Sequence, residues 1–508
     1  MASEAQTGPA SDVPPGGGPG PGSAGHGLVF PADDHGRRST SDVGRAVVAD
    51  ALRAADPTGA RAAEQETAWR TGYLPHFRRL VEAGLASPEA AVGIARDGLD
   101  SLHERMRVVD DTGEEQRLAS WPAAAGGALR GVEVVGQGEV QPELVLPFHG
   151  ERLRRSGLQR RVAAWVEAGV VEPSVGQAVD EVVAHPEWLR LEGHTVAVLG
   201  AGAEMGPLPS LMRWGARVAA VDLQRTELWE RVLTQARNGA GTLVVPTAAD
   251  DAGVLEQAAG VDLLAGVPAL ETWLAEQPGT LVVGNYVYAD GATNVRVSMA
   301  VDELTRRLLA DRGDTALGFL ATPTDVFVVP GEAVEHSTRA YDGRSGRSKT
   351  LGRPLRTLSG GRLLRRQYVA GSDPGVNDSL VPQQGPNYAL AKRLQRWRAT
   401  VSRHDGVTVS MNVAPPTRTR SVVKNRALAA AYAGAHRFGV EVFEPATSNV
   451  LMAALLVHDL HTGGGPRHDA PWQDEAHAAA HGGLWRTAYA PRSALGLAAL
   501  LGYGAARG

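Results

Sequence analysis

Tyr388 and Lys392 stand four residues apart in Gly385-Pro386-Asn387-Tyr388-Ala389-Leu390-Ala391-Lys392, at the start of an expected helix. That spacing puts both side chains on one helix face. A phenol can donate or accept a proton, and an ammonium beside it lowers its pKa. The lysine stands out because the chain writes positive charge as arginine: Lys349, Lys392 and Lys424 are its only lysines, against 48 arginines. A compact ammonium of tunable acidity is what a guanidinium cannot replace. With nine Tyr and three Lys in 508 positions, such a pair arises by chance about one time in twenty.

A second cluster lies at Val198-Leu199-Gly200-Ala201-Gly202-Ala203-Glu204-Met205-Gly206, where an apolar strand hands over to a helix. Glycines there let a backbone approach phosphate groups, and a helix N-terminus offers free N–H groups. Twenty residues after Gly202, Asp222 closes the second strand and is placed to accept ribose hydroxyls. A carboxylate there favours NAD, while Arg225 nearby leaves NADP open. Asp250 and Asp251, after the third strand, are weaker candidates for adenine contacts.

These residues need a scaffold. After Arg190 short apolar strands alternate with helical stretches, the pattern of a doubly wound parallel α/β sheet. The expected strands are Thr195–Leu199, Arg217–Asp222, Thr242–Pro246, Thr280–Gly284, Ala316–Ala321 and Val407–Val413. Residues 1–40 are expected as a Gly/Pro-rich tail and 41–190 as a mainly helical domain. The Rossmann domain then covers 191–450, with an insertion at about 330–378, and a helical extension runs over 451–508. In the helical part, Val81-Glu82-Ala83-Gly84 before Pro88 and Val166-Glu167-Ala168-Gly169 before Pro173 predict two helical hairpins. Ser87 and Ser174 are their N-caps, and a β-hairpin at Val132–Val145 is expected between them.

On Tyr388 and Lys392, and on Val409-Ser410-Met411-Asn412-Val413-Ala414-Pro415-Pro416-Thr417 in the sixth strand, the region from about Thr195 to Ala453 resembles the short-chain dehydrogenase/reductase superfamily. The resemblance implies carbonyl/alcohol interconversion, with Tyr388 as acid/base and Lys392 as its electrostatic partner and the holder of the nicotinamide ribose. It also implies Asn285 and Thr417 as cofactor contacts beside Gly200, Gly202, Gly206 and Asp222. The chain departs from the family's glycine pattern at Ala201 and Leu208, and has Pro416 where the family has Gly. The family's substrate-holding Ser is absent, since position 375 is Gly. Thr322 or Thr324 could replace it by strand position, and Ser372 or Ser379 by proximity. A methyltransferase using S-adenosylmethionine and a non-catalytic nucleotide-sensing scaffold are the alternatives.

Composition narrows the rest. No cysteine means no disulfide, thiolate metal site or Cys nucleophile. A net charge of −5 gives no footprint for nucleic acid or an anionic membrane. The first 27 residues lack a secretory signal, so a cytoplasmic protein is expected, with a homo-oligomer left open. From Arg339 to Arg366 nine basic residues meet one acid, Asp342. This predicts a lid or docking arm for an anionic small-molecule substrate that is phosphate-bearing, CoA-linked or carrier-linked. His458, Asp459, His461, His468, His477 and His481 are read as a polar C-terminal surface rather than metal ligands. His477 lacks the Glu that follows the first His of a zinc-protease helix.

Overall fold

The computed structural model describes residues 25–110, 112–121, 127–248, 253–345, 352 and 354–504. Six parallel strands carry the fold: β1 (His194–Leu199), β2 (Arg217–Val221), β3 (Thr242–Ala248), β4 (Thr280–Asn285), β5 (Ala316–Ala321) and β6 (Val409–Val413). They lie in the order β6-β5-β4-β1-β2-β3, and Leu129–Val135 adds an antiparallel seventh strand beside β3. This is the doubly wound Rossmann order, which reverses between β1 and β4. Runs such as Thr-Leu-Val-Val and Arg-Val-Ala-Ala-Val are apolar at successive positions because helices cover both faces. Ala197, Leu199, Ala219, Val221, Leu281 and Val283 pack on one face. Val196, Val198, Val218, Ala220 and Val282 pack on the other.

The first face carries α4 (Ala292–Asp311) and α5 (Gly385–His404), and outside α5 lies α1 (Pro88–Arg105) from the N-terminal helical region. α1 is capped as its sequence predicts, with Ser87 Oγ accepting from Ala90 N at 3.1 Å. It meets α5 where Gly98 faces Trp397; a Cβ on Gly98 would lie 2.4 Å from the indole ring. The second face carries α2 (Leu208–Trp214), α3 (Thr226–Asn238) and α6 (Pro445–His461). Among the described residues no helix is long and apolar enough to cross a membrane.

Four local expectations are corrected. Gly27–Val29 pairs with Arg107–Val109, so these residues of the expected 1–40 tail form a strand. Gly27, at φ +70°, sits where a Cβ would be 2.2 Å from Leu264 O. There is no Val132–Val145 hairpin: Leu129–Val135 pairs with β3, and Val145–Phe148 pairs with Glu151–Arg154. The chain between them is held along the end of α3 by Gly136 N to Gly241 O at 2.9 Å and Gln137 N to Arg237 O at 2.9 Å. Ser174 does not cap its helix, Pro173–Ala184; Glu172 occupies the cap position, and Ser174 Oγ accepts from Ala478 N at 2.8 Å. The insertion is more regular than its composition suggests, with a helix over Gly331–Asp342 and Val326–Val329 paired to Gly375–Asp378. It docks on the C-terminal segment, with Arg365 N donating to Ser493 Oγ at 3.0 Å and Tyr368 Oη to Trp485 O at 2.8 Å.

Candidate active site

The glycine turn closes the gap between β1 and α2. Gly200 has φ +88°, and a Cβ there would come 2.9 Å from Tyr286 O, so only glycine fits. The N–H groups of Gly200 and Ala201 donate to Val221 O at 2.9 and 3.1 Å, that of Ala203 to Gly200 O at 3.0 Å, and that of Gly206 to Ala203 O at 3.1 Å. Gly202 N donates to Asp222 Oδ2 at 2.8 Å, and Leu223 N to Asp222 Oδ1 at 2.8 Å. Among the described residues this leaves the amides of Glu204 and Met205 without a protein acceptor. Burial raises the Asp222 carboxyl above its ordinary pKa, against the two N–H bonds and the fields of Arg225 and Arg231. Asp250 and Asp251 lie outside the described residues.

The residues expected to transfer protons lie where β4 and β5 end. α5 opens at Gly385 and Pro386, and Pro is tolerated in a first turn because its missing N–H has no helical partner there. This places Tyr388, half-buried, against the loop that follows β5. Burial raises the Tyr388 phenol above the ordinary tyrosine value, against the pull of the nearby Thr322 and Gln384 side chains. The expected lowering by Lys392 is therefore not what the resting site shows. Thr322 Oγ1 also lies 2.9 Å from Thr324 Oγ1, which accepts from Gln384 Nε2 at 2.7 Å. Of the four candidates for the missing Ser, Ser372 bonds Val369 O at 2.8 Å and Ser379 bonds Asn377 Oδ1 at 2.7 Å. Thr322 is the one beside the phenol. Tyr288 meets the Tyr388 ring edge-on, with centroids 6.3 Å apart.

Lys392, one turn further along α5, donates to Gln395 Oε1 at 3.1 Å, and Gln395 Nε2 donates to Asn285 Oδ1 at 3.3 Å. Asn285 is buried at the end of β4. A chain of three polar groups thus links the ammonium to the strand end. Burial pushes Lys392 down to about 8, opposed by the carboxylate field of Asp325. Asp325 itself is buried, and Arg393 at 3.0 Å, Arg396 at 2.8 Å and Val326 N at 2.7 Å hold it ionised. Arg396 also pairs with Glu475 at 2.6 Å, and Arg398 binds Asp302 at 2.7 and 2.8 Å. His103 of α1 adds a 2.7 Å contact to Asp302. These anchors were not legible in the sequence; the arginine-rich back of α5 was their one signal.

Two expectations fail. The Thr417 hydroxyl is buried, 2.9 Å from Pro415 O and 2.7 Å from Ser448 Oγ, so it is spent inside the fold rather than offered to a cofactor. The histidines are not all surface groups. His481 is fully buried and bonds Glu172 Oε1 at 2.8 Å, with Arg486 clamping the same carboxylate at 2.8 and 2.6 Å. His458 is buried between Asp459 and Glu181, both at 3.1 Å.

Fold and site together describe a Rossmann-type α/β protein with a glycine turn and a Tyr–Lys helix at the carboxyl ends of its strands. No family model matches the chain. No curated protein matches it. Among solved structures it is similar to a thiolation-reductase di-domain from an archaeal non-ribosomal peptide synthetase, at 11% identity and TM-score 0.26. The match covers 55% of this chain and 54% of that one, so the chain spans about half the length of that structure. At that level the likeness carries no functional argument, which rests on the residues.

Proposed function

We propose that this chain is an NAD(P)-dependent oxidoreductase, similar to the short-chain dehydrogenases, that reduces a carbonyl to an alcohol. The observation that carries this reading is one helix that places the Tyr388 phenol near Thr322 and, one turn on, Lys392, whose pKa burial lowers to about 8. A nicotinamide dinucleotide fits the residues present. The amides of Glu204 and Met205 would hold its phosphates, Asp222 an adenosine ribose, and Lys392 with Asn285 the nicotinamide end. Bound there, it would supply the hydride.

The chain's own groups supply the rest. Because burial keeps the phenol protonated at neutral pH, Tyr388 acts as the acid, giving its proton to the carbonyl oxygen as that oxygen gains charge. The Thr322 hydroxyl orients the oxygen and donates to the phenolate left behind. Lys392, charged below about pH 8, stabilises that phenolate, and a bulkier guanidinium could not be neutralised in the same way. Arg362 and Arg365 are exposed on the insertion and have no ion-pair partner among the described residues, which supports docking of an anionic or carrier-linked substrate.

A thermal-shift panel with NAD, NADH, NADPH and S-adenosylmethionine tests the cofactor class. Stabilisation by S-adenosylmethionine alone would end this reading. Tyr388→Phe is expected to abolish turnover while leaving dinucleotide affinity nearly intact.

A further inference from the structure

A cavity of about 410 Å³ lies behind the glycine turn, between α2, α3, the Val145–Arg154 hairpin and the first turn of α6. Its charged lining residues are Arg152, Arg213, Arg231, Arg420 and Glu204. Four cations against one anion is a sharp local excess in a chain of net charge −5. Glu204 is already committed to Arg420, at 3.0 Å. The other three arginines have no ion-pair partner among the described residues.

Arg213 is the central one. It is only partly exposed, and Ser210 Oγ, itself fully buried and bonded to Asn449 Oδ1 at 2.6 Å, receives one guanidinium N–H at 3.1 Å. This fixes the head group from the inside while its remaining donors are unused. Burial and the like charge of Arg152 both press against its charged state, and no carboxylate relieves it. A fork of planar donors without a carboxylate is what a tetrahedral oxyanion satisfies bidentately. The start of α6, a helix of 17 residues, brings the positive end of a dipole to the same cavity through Pro445 and Ala446.

We propose that this cavity binds a small molecule bearing a phosphate or diphosphate group, held by Arg213, Arg231 and Arg152. The site adjoins the dinucleotide cleft without coinciding with it. Ala201, Gly202, Ala203 and Glu204 form their shared wall, while Asp222 and Met205 do not line the cavity and the arginines come from the sides of α2 and α3 and from the hairpin. Since Gly202 N is bonded to Asp222, a ligand here would touch the back of the turn that holds the adenosine half.

The test is isothermal titration of the full chain with sodium pyrophosphate and with inorganic phosphate, at low ionic strength. Saturable binding at one site is expected, weakened at least tenfold in Arg213→Gln and in Arg231→Gln. Arg231 is exposed, so its variant separates lost binding from lost folding. Arg70→Gln, exposed on the N-terminal helical region and outside the cavity lining, is expected to bind as the parent does. No saturable binding, or equal loss in the Arg70 variant, would overturn the proposal. A saturating amount of NADH is expected to leave pyrophosphate binding in place; competitive displacement would make the cavity part of the dinucleotide site and refute a separate one. Failure of NADH itself to bind would bear on the oxidoreductase reading alone.

Discussion

Lys392 is a residue whose charge the fold tolerates at a cost, and Lys392→Met measures that cost. The unfolded lysine titrates near 10.5 and the folded one near 8, so between these pH values the unfolded chain binds more protons than the native one. Stability contributed by this site therefore rises with pH across the window from about 8 to 10.5. The full difference is worth about 3 kcal/mol. Partial exposure of the side chain and its bond to Gln395 reduce the expected value to about 1–2 kcal/mol. At pH 7 the methionine variant is thus expected to be the more stable chain, because it removes a desolvated charge and keeps the packing. Its advantage shrinks by that amount as pH climbs past 10. Urea unfolding of both chains at pH 7, 8, 9 and 10 reads this directly, without any ligand. A stability difference that stays flat over the series, or grows with pH, would refute the burial argument. The same titration removes the cation beside Tyr388, so turnover of the parent is expected to fall about tenfold per pH unit above 8.

Other perturbations probe the frame around the site. Asp302→Asn leaves Arg398 and His103 without their buried carboxylate and is expected to cost about 3–5 kcal/mol, read as a lowered midpoint in thermal or urea unfolding. His103, whose pKa is raised by Asp302 and Glu303, stabilises the native chain fully below pH 6.5. That contribution is lost as pH rises through the raised value, so His103→Gln should narrow the gap to the parent above neutrality. Gly98→Ala sets a gain in helix propensity of about 1 kcal/mol against overpacking on Trp397 of about 1–3 kcal/mol. With the ring only 2.4 Å from the added Cβ, net destabilisation is expected in denaturant unfolding. Thr322→Val should lower kcat while leaving dinucleotide binding unchanged, and Thr324→Val should do so less.

The six parallel strands were legible because a strand buried on both faces has to be a run of Val, Leu and Ala, whatever lies far away in sequence. The Leu129–Val135 strand was legible as a strand but not as to its partner: β3 lies more than a hundred residues on, and only close packing at Gly136 and Gly138 shows why the chain does not turn back. The Tyr388–Lys392 spacing could be read because one helix turn is a local rule. Which of Thr322, Thr324, Ser372 and Ser379 lies nearest the phenol could not, since it depends on where β5 ends relative to α5. Thr417 misled for the same reason: its hydroxyl is claimed by Ser448, thirty-one residues away. Glu172 and His481, 309 residues apart, carry no local sign of each other.

The back of α5 has one more consequence. Arg393, Arg396 and Arg398 lock the helix to Asp325, Glu475 and Asp302, while Tyr388 and Lys392 ride the same helix. A helix turns about 100° per residue, so inserting or deleting one residue between Lys392 and Arg393 would force the protein to choose between its ion pairs and its phenol. The arginines act as a key that admits the helix in a single rotational setting. Changes of length in this segment should therefore be far less tolerated than changes of residue type on its exposed positions.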